Sequence, residues 1–182
     1  MDNIFFLSCF LPLALVLHWI APKMGVKNAV LLALSLVFYS FSGLSGLVLL
    51  VAVAVVNYLL GLCLRTKLRK AAMITGVILD VAFLGVYKYL DFILADVLGL
   101  AHMQPGLVAP LGISFFVFKC ISYLVDGYRD KDQITRHFGK LLLYISFFPQ
   151  ITMGPITRFS EFAPQLDNRE LSMDDTALGL RR

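Results

Sequence analysis

Charged residues are scarce in this chain. Only 15% of its 182 residues are Asp, Glu, Lys or Arg, whereas 59% are hydrophobic, and the mean hydropathy is +0.81. Soluble domains carry about 25% charged residues. The hydrophobic residues come in continuous blocks rather than in a one-sided stripe, so they face lipid or other helices on all sides. This composition excludes a soluble globular protein and predicts a polytopic integral membrane protein.

The chain also has few residues of the kind that form metal or nucleophile sites. Its cysteines, Cys9, Cys63 and Cys120, each stand alone in a hydrophobic block, so neither a disulfide framework nor a metal site is predicted. No Ser/His/Asp arrangement, phosphate-binding glycine loop or zinc-ligand spacing occurs. The net charge of +4 comes from basic residues in connecting segments, where they orient the protein in the lipid bilayer. We expect neither a bound cofactor nor a nucleic-acid partner.

Six hydrophobic blocks fill the chain and leave only short connections. They cover residues 4–21, 29–41, 44–64, 71–90, 107–125 and 138–156. A perpendicular crossing needs about 20 hydrophobic residues. The second block is shorter than that, and Pro149, Gly154 and Pro155 interrupt the sixth. We predict a single membrane domain over residues 1–182, all-α, with about five transmembrane helices plus one broken or re-entrant helix.

Basic residues are concentrated in every second connection, at 22–28, 65–70 and 126–140. By the positive-inside rule these connections are cytoplasmic and the N-terminus is outside. A complete sixth crossing would send the later arginines outside, which favours a re-entrant sixth block. The helix predicted after the capping box at 172–175 stops within about two turns. We therefore expect the chain to be truncated at its C-terminus.

The interrupted sixth block contains polar residues and helix breakers where lipid would not tolerate them. Backbone released by proline can lie at membrane depth only where protein surrounds it or water lines it. An amide such as Gln150 can contact an ester, and Arg158 can bind phosphate or reach lipid head groups. A proline-kinked helix with a polar end is the alternative. The predicted pocket-lining residues are Phe148, Pro149, Gln150, Gly154, Pro155, Arg158 and Phe159.

Two charges, Asp80 and Lys119, lie inside hydrophobic blocks. Charges at membrane depth are costly and usually face the bundle interior. In antiparallel neighbouring helices their depths differ by about four residues, or roughly 6 Å at 1.5 Å per residue, which a lysine side chain can cover. We predict a buried Asp80–Lys119 ion pair. The alternative is a proton or ion path, which would make the protein a transporter or channel.

Three runs of the sequence resemble the membrane-bound O-acyltransferase (MBOAT) family. They are Pro-Leu-Gly-Ile-Ser-Phe-Phe at 110–116, the run at 121–129 that begins Ile-Ser-Tyr-Leu-Val-Asp, and the run at 147–166 that begins Phe-Phe-Pro-Gln. The resemblance extends over nearly all 182 residues. Within the family it points to the bacterial alginate O-acetylase branch, which includes the D-alanyl transferases of teichoic acid.

The resemblance implies transfer of an acyl group, acetyl in this branch, from a cytoplasmic thioester donor to a hydroxyl of an extracytoplasmic polysaccharide or cell-envelope glycan. The donor would be acyl-CoA or an acyl-carrier protein. The location would be the bacterial cytoplasmic membrane, with periplasmic or extracellular acetylation proteins as further partners. Residues 147–166 would form one wall of an acyl-transfer tunnel.

Family members are more than twice as long as this chain and carry their hallmark histidine in the later half. His18, His102 and His137 do not occupy its context. The resemblance therefore implies the N-terminal part of a helical ring, without a catalytic residue and inactive alone. A fragment of a transporter or channel that uses Asp80 and Lys119 is the alternative function.

Overall fold

The computed structural model describes residues 10–97, 107–150 and 157–167. Within these ranges all regular structure is helical, which confirms the predicted all-α class there. The described ranges contain seven α-helices: α1 Leu11–Ile20, α2 Met24–Ser40, α3 Leu44–Cys63, α4 Arg69–Phe92, α5 Ile113–Arg129, α6 Phe138–Ser146 and α7 Phe159–Asp167. A π-helical turn, Ile93–Val97, extends α4, and a short 3-10 helix, Lys131–Gln133, follows α5.

Two glycines with positive φ mark the beginnings of long helices. Gly43 (φ +125°) precedes α3 and Gly112 (φ +64°) precedes α5. Residues with a Cβ rarely adopt these angles, so glycine lets the chain turn sharply into the next helix. The predicted blocks at 44–64 and 71–90 correspond closely to α3 and α4.

Within the described ranges, two helices are long and hydrophobic enough to cross a membrane by length and composition, Leu44–Cys63 and Arg69–Leu90. Helix α2 is hydrophobic but shorter. The outward faces of these helices expose large hydrophobic side chains such as Val48, Leu59 and Ile78, as surfaces facing lipid do. The number of about five transmembrane helices stays a prediction.

Helix α5 forms the centre of the bundle. It packs against α3, α4, α6 and α7. Phe116, Val117, Cys120 and Leu124 on α5 are completely buried. The inner residues of α6 are buried almost as completely. The core therefore lies around α5 and α6, next to the point where α6 ends.

The basic connections at 65–70 and 126–140 lie at one end of the bundle. Arg65 Nη2 donates to the Ile134 carbonyl oxygen at 2.7 Å, and Arg69 donates to the carbonyl oxygen of Tyr128. The connection at 22–28 reaches the same end, since Gly25 lines a cavity together with residues 136–140. A single membrane side for all three connections requires this arrangement.

Candidate functional site

Helix α6 breaks where the sequence predicts an interruption. It ends at Ser146, and a turn follows in which the Gln150 backbone N–H donates to the Phe147 carbonyl oxygen at 3.0 Å. Pro149 disfavours helical backbone at the preceding residue and provides no N–H for the helix. We call residues 147–150 the α6 break. Gly154 and Pro155, which were predicted to line a pocket, lie outside the described residues.

Side chains from two other helices bind the backbone groups that the α6 break releases. The Tyr144 carbonyl would accept from the Phe148 N–H in a continuous helix. Instead, Lys119 Nζ donates to it at 3.0 Å, and Phe148 N–H donates to Ser35 Oγ at 3.4 Å. The last carbonyls of a helix carry partial negative charge, which a cation stabilises. Lys119 of α5 and Ser35 of α2 thus hold the α6 break in place.

Hydrogen bonds join the segment that follows the α6 break, from Thr157 onward, to α6 and to the break itself. Tyr144 Oη donates to the Thr157 carbonyl oxygen at 2.8 Å, and Thr157 Oγ1 donates to Gln150 Oε1 at 3.2 Å. Phe159, at the start of α7, packs edge-to-face on both Tyr144 and Tyr123. These contacts fix α7 against the end of α6.

A cavity of about 320 Å³ lies between the α6 break and α7. We call it the break cavity. Phe147 and Phe162, whose ring centroids are 5.2 Å apart, form part of its hydrophobic lining. Amide, hydroxyl and carboxyl groups supply the polar part, so the cavity can both donate hydrogen bonds to a ligand and accept them. The lining residues are Phe147, Gln150, Thr157, Glu161, Phe162, Gln165 and Leu166.

The structure separates the predicted pocket-lining residues. Gln150 lines the break cavity. Phe148 does not line this cavity; it is buried against Phe10 and Phe38. Pro149 is exposed in the turn, and Arg158 is exposed just before α7. Phe159, the first residue of α7, is buried and borders a different cavity.

Most residues that line the break cavity lie outside the predicted set. Its α7 residues form two pairs four residues apart, Glu161 with Gln165 and Phe162 with Leu166, and residues four apart share one face of a helix. That signal was present, but Pro164 lies inside the helix and obscures it. Gln165 was not among the predicted pocket-lining residues, although it lies on α7 and lines the cavity.

The structure corrects the predicted Asp80–Lys119 ion pair. Both side chains are buried, with 3% and 1% of their surface exposed. However, Asp80 Oδ1 accepts from Asn57 Nδ2 at 2.8 Å, and Lys119 Nζ binds the Tyr144 carbonyl oxygen. In the described part of the chain, only Lys140 and Asp167 bring an ammonium nitrogen and a carboxylate oxygen within 4.0 Å of each other. Similar depth does not bring the two side chains together, because Lys119 points toward the end of α6, while Asp80 points toward α3.

Comparison with known proteins finds relatives along nearly the entire chain. The chain is 34% identical, over 97% of its length, to a probable alginate O-acetylase (AlgI) of Pseudomonas syringae. It is 31% identical, over 96% of its length, to the peptidoglycan O-acetyltransferase of Helicobacter pylori. Over 35% of its length it is 39% identical to the teichoic acid D-alanyltransferase of Bacillus subtilis.

The chain spans 36% of the length of the first of these relatives and 40% of the second. No family profile matches the chain, and no solved structure does. The similarity to the first two relatives covers at least 96% of the chain and therefore includes both sides of the α6 break. The chain is thus a homologue, along nearly its whole length, of bacterial cell-envelope O-acetylases of the membrane-bound O-acyltransferase type.

Proposed function

We propose that the protein to which this chain belongs transfers an acetyl group from a cytoplasmic thioester to a hydroxyl of an extracytoplasmic glycan. The donor would be acyl-CoA or an acyl-carrier protein, and the location the bacterial cytoplasmic membrane with the N-terminus outside. The observation that carries the proposal is the similarity to an alginate and a peptidoglycan O-acetylase over at least 96% of the chain. By name, the first relative acetylates alginate and the second acetylates peptidoglycan.

In this proposal the chain supplies one wall of the passage that holds the acyl group. The break cavity suits that role because hydrophobic rings lie beside groups that donate and accept hydrogen bonds. A thioester or ester carbonyl can accept from the side-chain amide of Gln150 or Gln165. No residue of this chain is assigned as the general base, and acetylation proteins outside the membrane would be further partners. The transporter alternative gains no support, because Asp80 and Lys119 bind separate groups.

The activity is tested by deleting the full-length gene in its native host. We expect the deletion strain to lose ester-linked acetyl groups from its cell-envelope glycan, measured as acetate released by mild alkali. Complementation with the intact gene should restore them. Membranes supplied with acetyl-CoA or with an acetylated carrier protein then identify the donor. Unchanged ester content in the deletion strain would refute the proposed activity.

The role of the break cavity is tested in the same full-length protein. Gln150→Ala and Gln165→Ala should each lower kcat/KM about five- to tenfold, because each removes the equivalent of roughly one hydrogen bond of about 1 kcal/mol. Arg158→Ala is the control, since Arg158 is exposed and does not line the cavity. It should remain within about twofold of the unmodified protein. A larger loss in Arg158→Ala than in Gln150→Ala would exclude the break cavity as the acyl site.

A further inference from the structure

A hydrophobic groove of about 410 Å³ between α3 and α4 contains two buried polar side chains. Asn57 of α3 is 1% exposed and Asp80 of α4 is 3% exposed. Hydrophobic residues such as Leu49, Val56 and Phe83 line the rest of the groove. The two polar groups therefore have little water available to complete their hydrogen bonds.

Each of these two groups has one satisfied atom and one unsatisfied oxygen. Asn57 Nδ2 donates to the Val53 carbonyl oxygen at 3.1 Å and to Asp80 Oδ1 at 2.8 Å. Asn57 Oδ1 and Asp80 Oδ2 are buried and have no hydrogen-bond partner within the described structure. The site thus contains two acceptors without a donor. A buried polar atom left unpaired costs about 1–3 kcal/mol, and a charged one costs more.

The orientation of the Asn57 amide is fixed by its neighbours. Exchanging its nitrogen and oxygen would place the oxygen against two acceptors, the Val53 carbonyl and Asp80 Oδ1. Side-chain amides are assigned from such partners. Reorienting the amide therefore does not supply the missing donor.

No cation supplies the donor either. Cys120 of α5 interacts electrostatically with both Asp80 and Lys119, but the Lys119 ammonium binds the Tyr144 carbonyl oxygen. Within the described residues no ammonium or guanidinium nitrogen lies within 4.0 Å of Asp80. The other titratable residue that lines the groove is Tyr87 of α4. A charged Asp80 would have to remain in the hydrophobic groove without a counter-ion, which is costly.

We propose that Asp80 and Asn57 form a one-proton site, in which Asp80 is the neutral acid and donates from Oδ2 to Asn57 Oδ1. A single proton, taken up from water by the carboxylate, satisfies both unpaired oxygens. The two planar groups then share two hydrogen bonds in a ring that joins α3 to α4. This inference does not depend on the proposed acyl transfer.

Infrared spectroscopy of the full-length protein in liposomes tests the proton directly. The spectrum of the unmodified protein minus that of Asp80→Asn, at neutral pH, should contain the C=O stretching band of a protonated carboxylic acid. This band should shift in D₂O. Carboxylate bands in place of it would overturn the proposal. Carboxylate bands that shift only when lipids with hydroxyl head groups are added would also overturn it, since the groove would then bind a lipid donor to a charged Asp80.

Stability measurements separate the ring from a charged site. Asp80→Asn keeps one donor and one acceptor toward Asn57, so the unfolding equilibrium constant should change by less than about threefold. Asp80→Ala and Asn57→Ala each leave a buried partner unpaired and should raise it about 5- to 150-fold, which corresponds to about 1–3 kcal/mol. The double alanine variant should be no worse than the worse single one. Equal damage from Asp80→Asn and Asp80→Ala would show that the charge is needed and would refute the ring.

Discussion

At the scale of single residues, Lys119 shows how a cation is accommodated inside the helical bundle, where its side chain is 1% exposed. A lone lysine there is costly. Lys119 has the carbonyl oxygen of Tyr144 at 3.0 Å and the Tyr144 ring, whose centroid is 5.2 Å from Nζ. A helix C-terminus and an aromatic face both favour a positive charge. These contacts thus stabilise the positive charge of Lys119 and also give the carbonyl at the end of α6 a hydrogen-bond donor.

Replacing Lys119 by methionine should destabilise the protein by about 1.5–3 kcal/mol, the range for a hydrogen bond to a charged group. The side chain keeps its approximate length, but the Tyr144 carbonyl loses its donor. Lys140→Met is the matched control, because that ammonium forms a partly exposed ion pair with Asp167, worth about 0–1 kcal/mol. Denaturant unfolding in detergent measures both. Equal losses would contradict the role given to Lys119.

At the scale of helices, glycines let the neighbours of α5 approach it closely. A Cβ on Gly61 of α3 would lie 2.8 Å from both Cε1 and Oη of Tyr123, and one on Gly127 would lie 2.7 Å from Ile134 Cγ1. Small residues at helix interfaces allow the backbones to pack closely in a membrane. The close contact between α3 and α5 therefore depends on the absence of a side chain at Gly61.

Gly61→Ala should destabilise the bundle by about 1–3 kcal/mol, the cost of overpacking a core, because the Tyr123 ring is buried and has little room to move. Gly85→Ala on α4 is the control, since a Cβ there meets nothing within 4 Å. The control should be neutral or stabilise by up to about 1 kcal/mol, the helix propensity difference. Thermal unfolding of the reconstituted variants shows whether each substitution raises or lowers the stability. Destabilisation of equal size in both would rule out the Tyr123 contact as the cause.

Helix boundaries were predictable from the sequence to different degrees. Helix α3 agrees almost to the residue with the predicted block 44–64, because a continuous hydrophobic run begins just after Gly43. The interruption of α6 followed from Pro149. The partner of Lys119 did not, because it is a backbone carbonyl, which no residue type marks. The break cavity was also missed, because it depends on α7 folding back against residues 147–150.

At the scale of the whole molecule, the basic connections bind one another as well as marking one end. Arg65 donates to the carbonyl oxygen of Ile134, and the Tyr58 hydroxyl donates to that of Arg136. Arg69 also lies over the Tyr128 ring, 4.7 Å from its centroid. Arg65 and Arg69, two of the basic residues from which the orientation is predicted, thus also fasten the start of α4 and the connection before it to α5 and to the segment that follows α5.

Cysteine labelling tests the orientation that the charges predict. In full-length protein with its native cysteines replaced by serine, Lys67→Cys and Lys131→Cys place exposed thiols at the basic end. Ser42→Cys, in the turn between α2 and α3, is the control at the opposite end. An impermeant maleimide added to cells with a permeable outer membrane should label only the Ser42→Cys variant. The other two should react after the inner membrane is opened, because positively charged connections remain in the cytoplasm. Different labelling of positions 67 and 131 would contradict a single basic end, and the reverse pattern throughout would place the N-terminus inside.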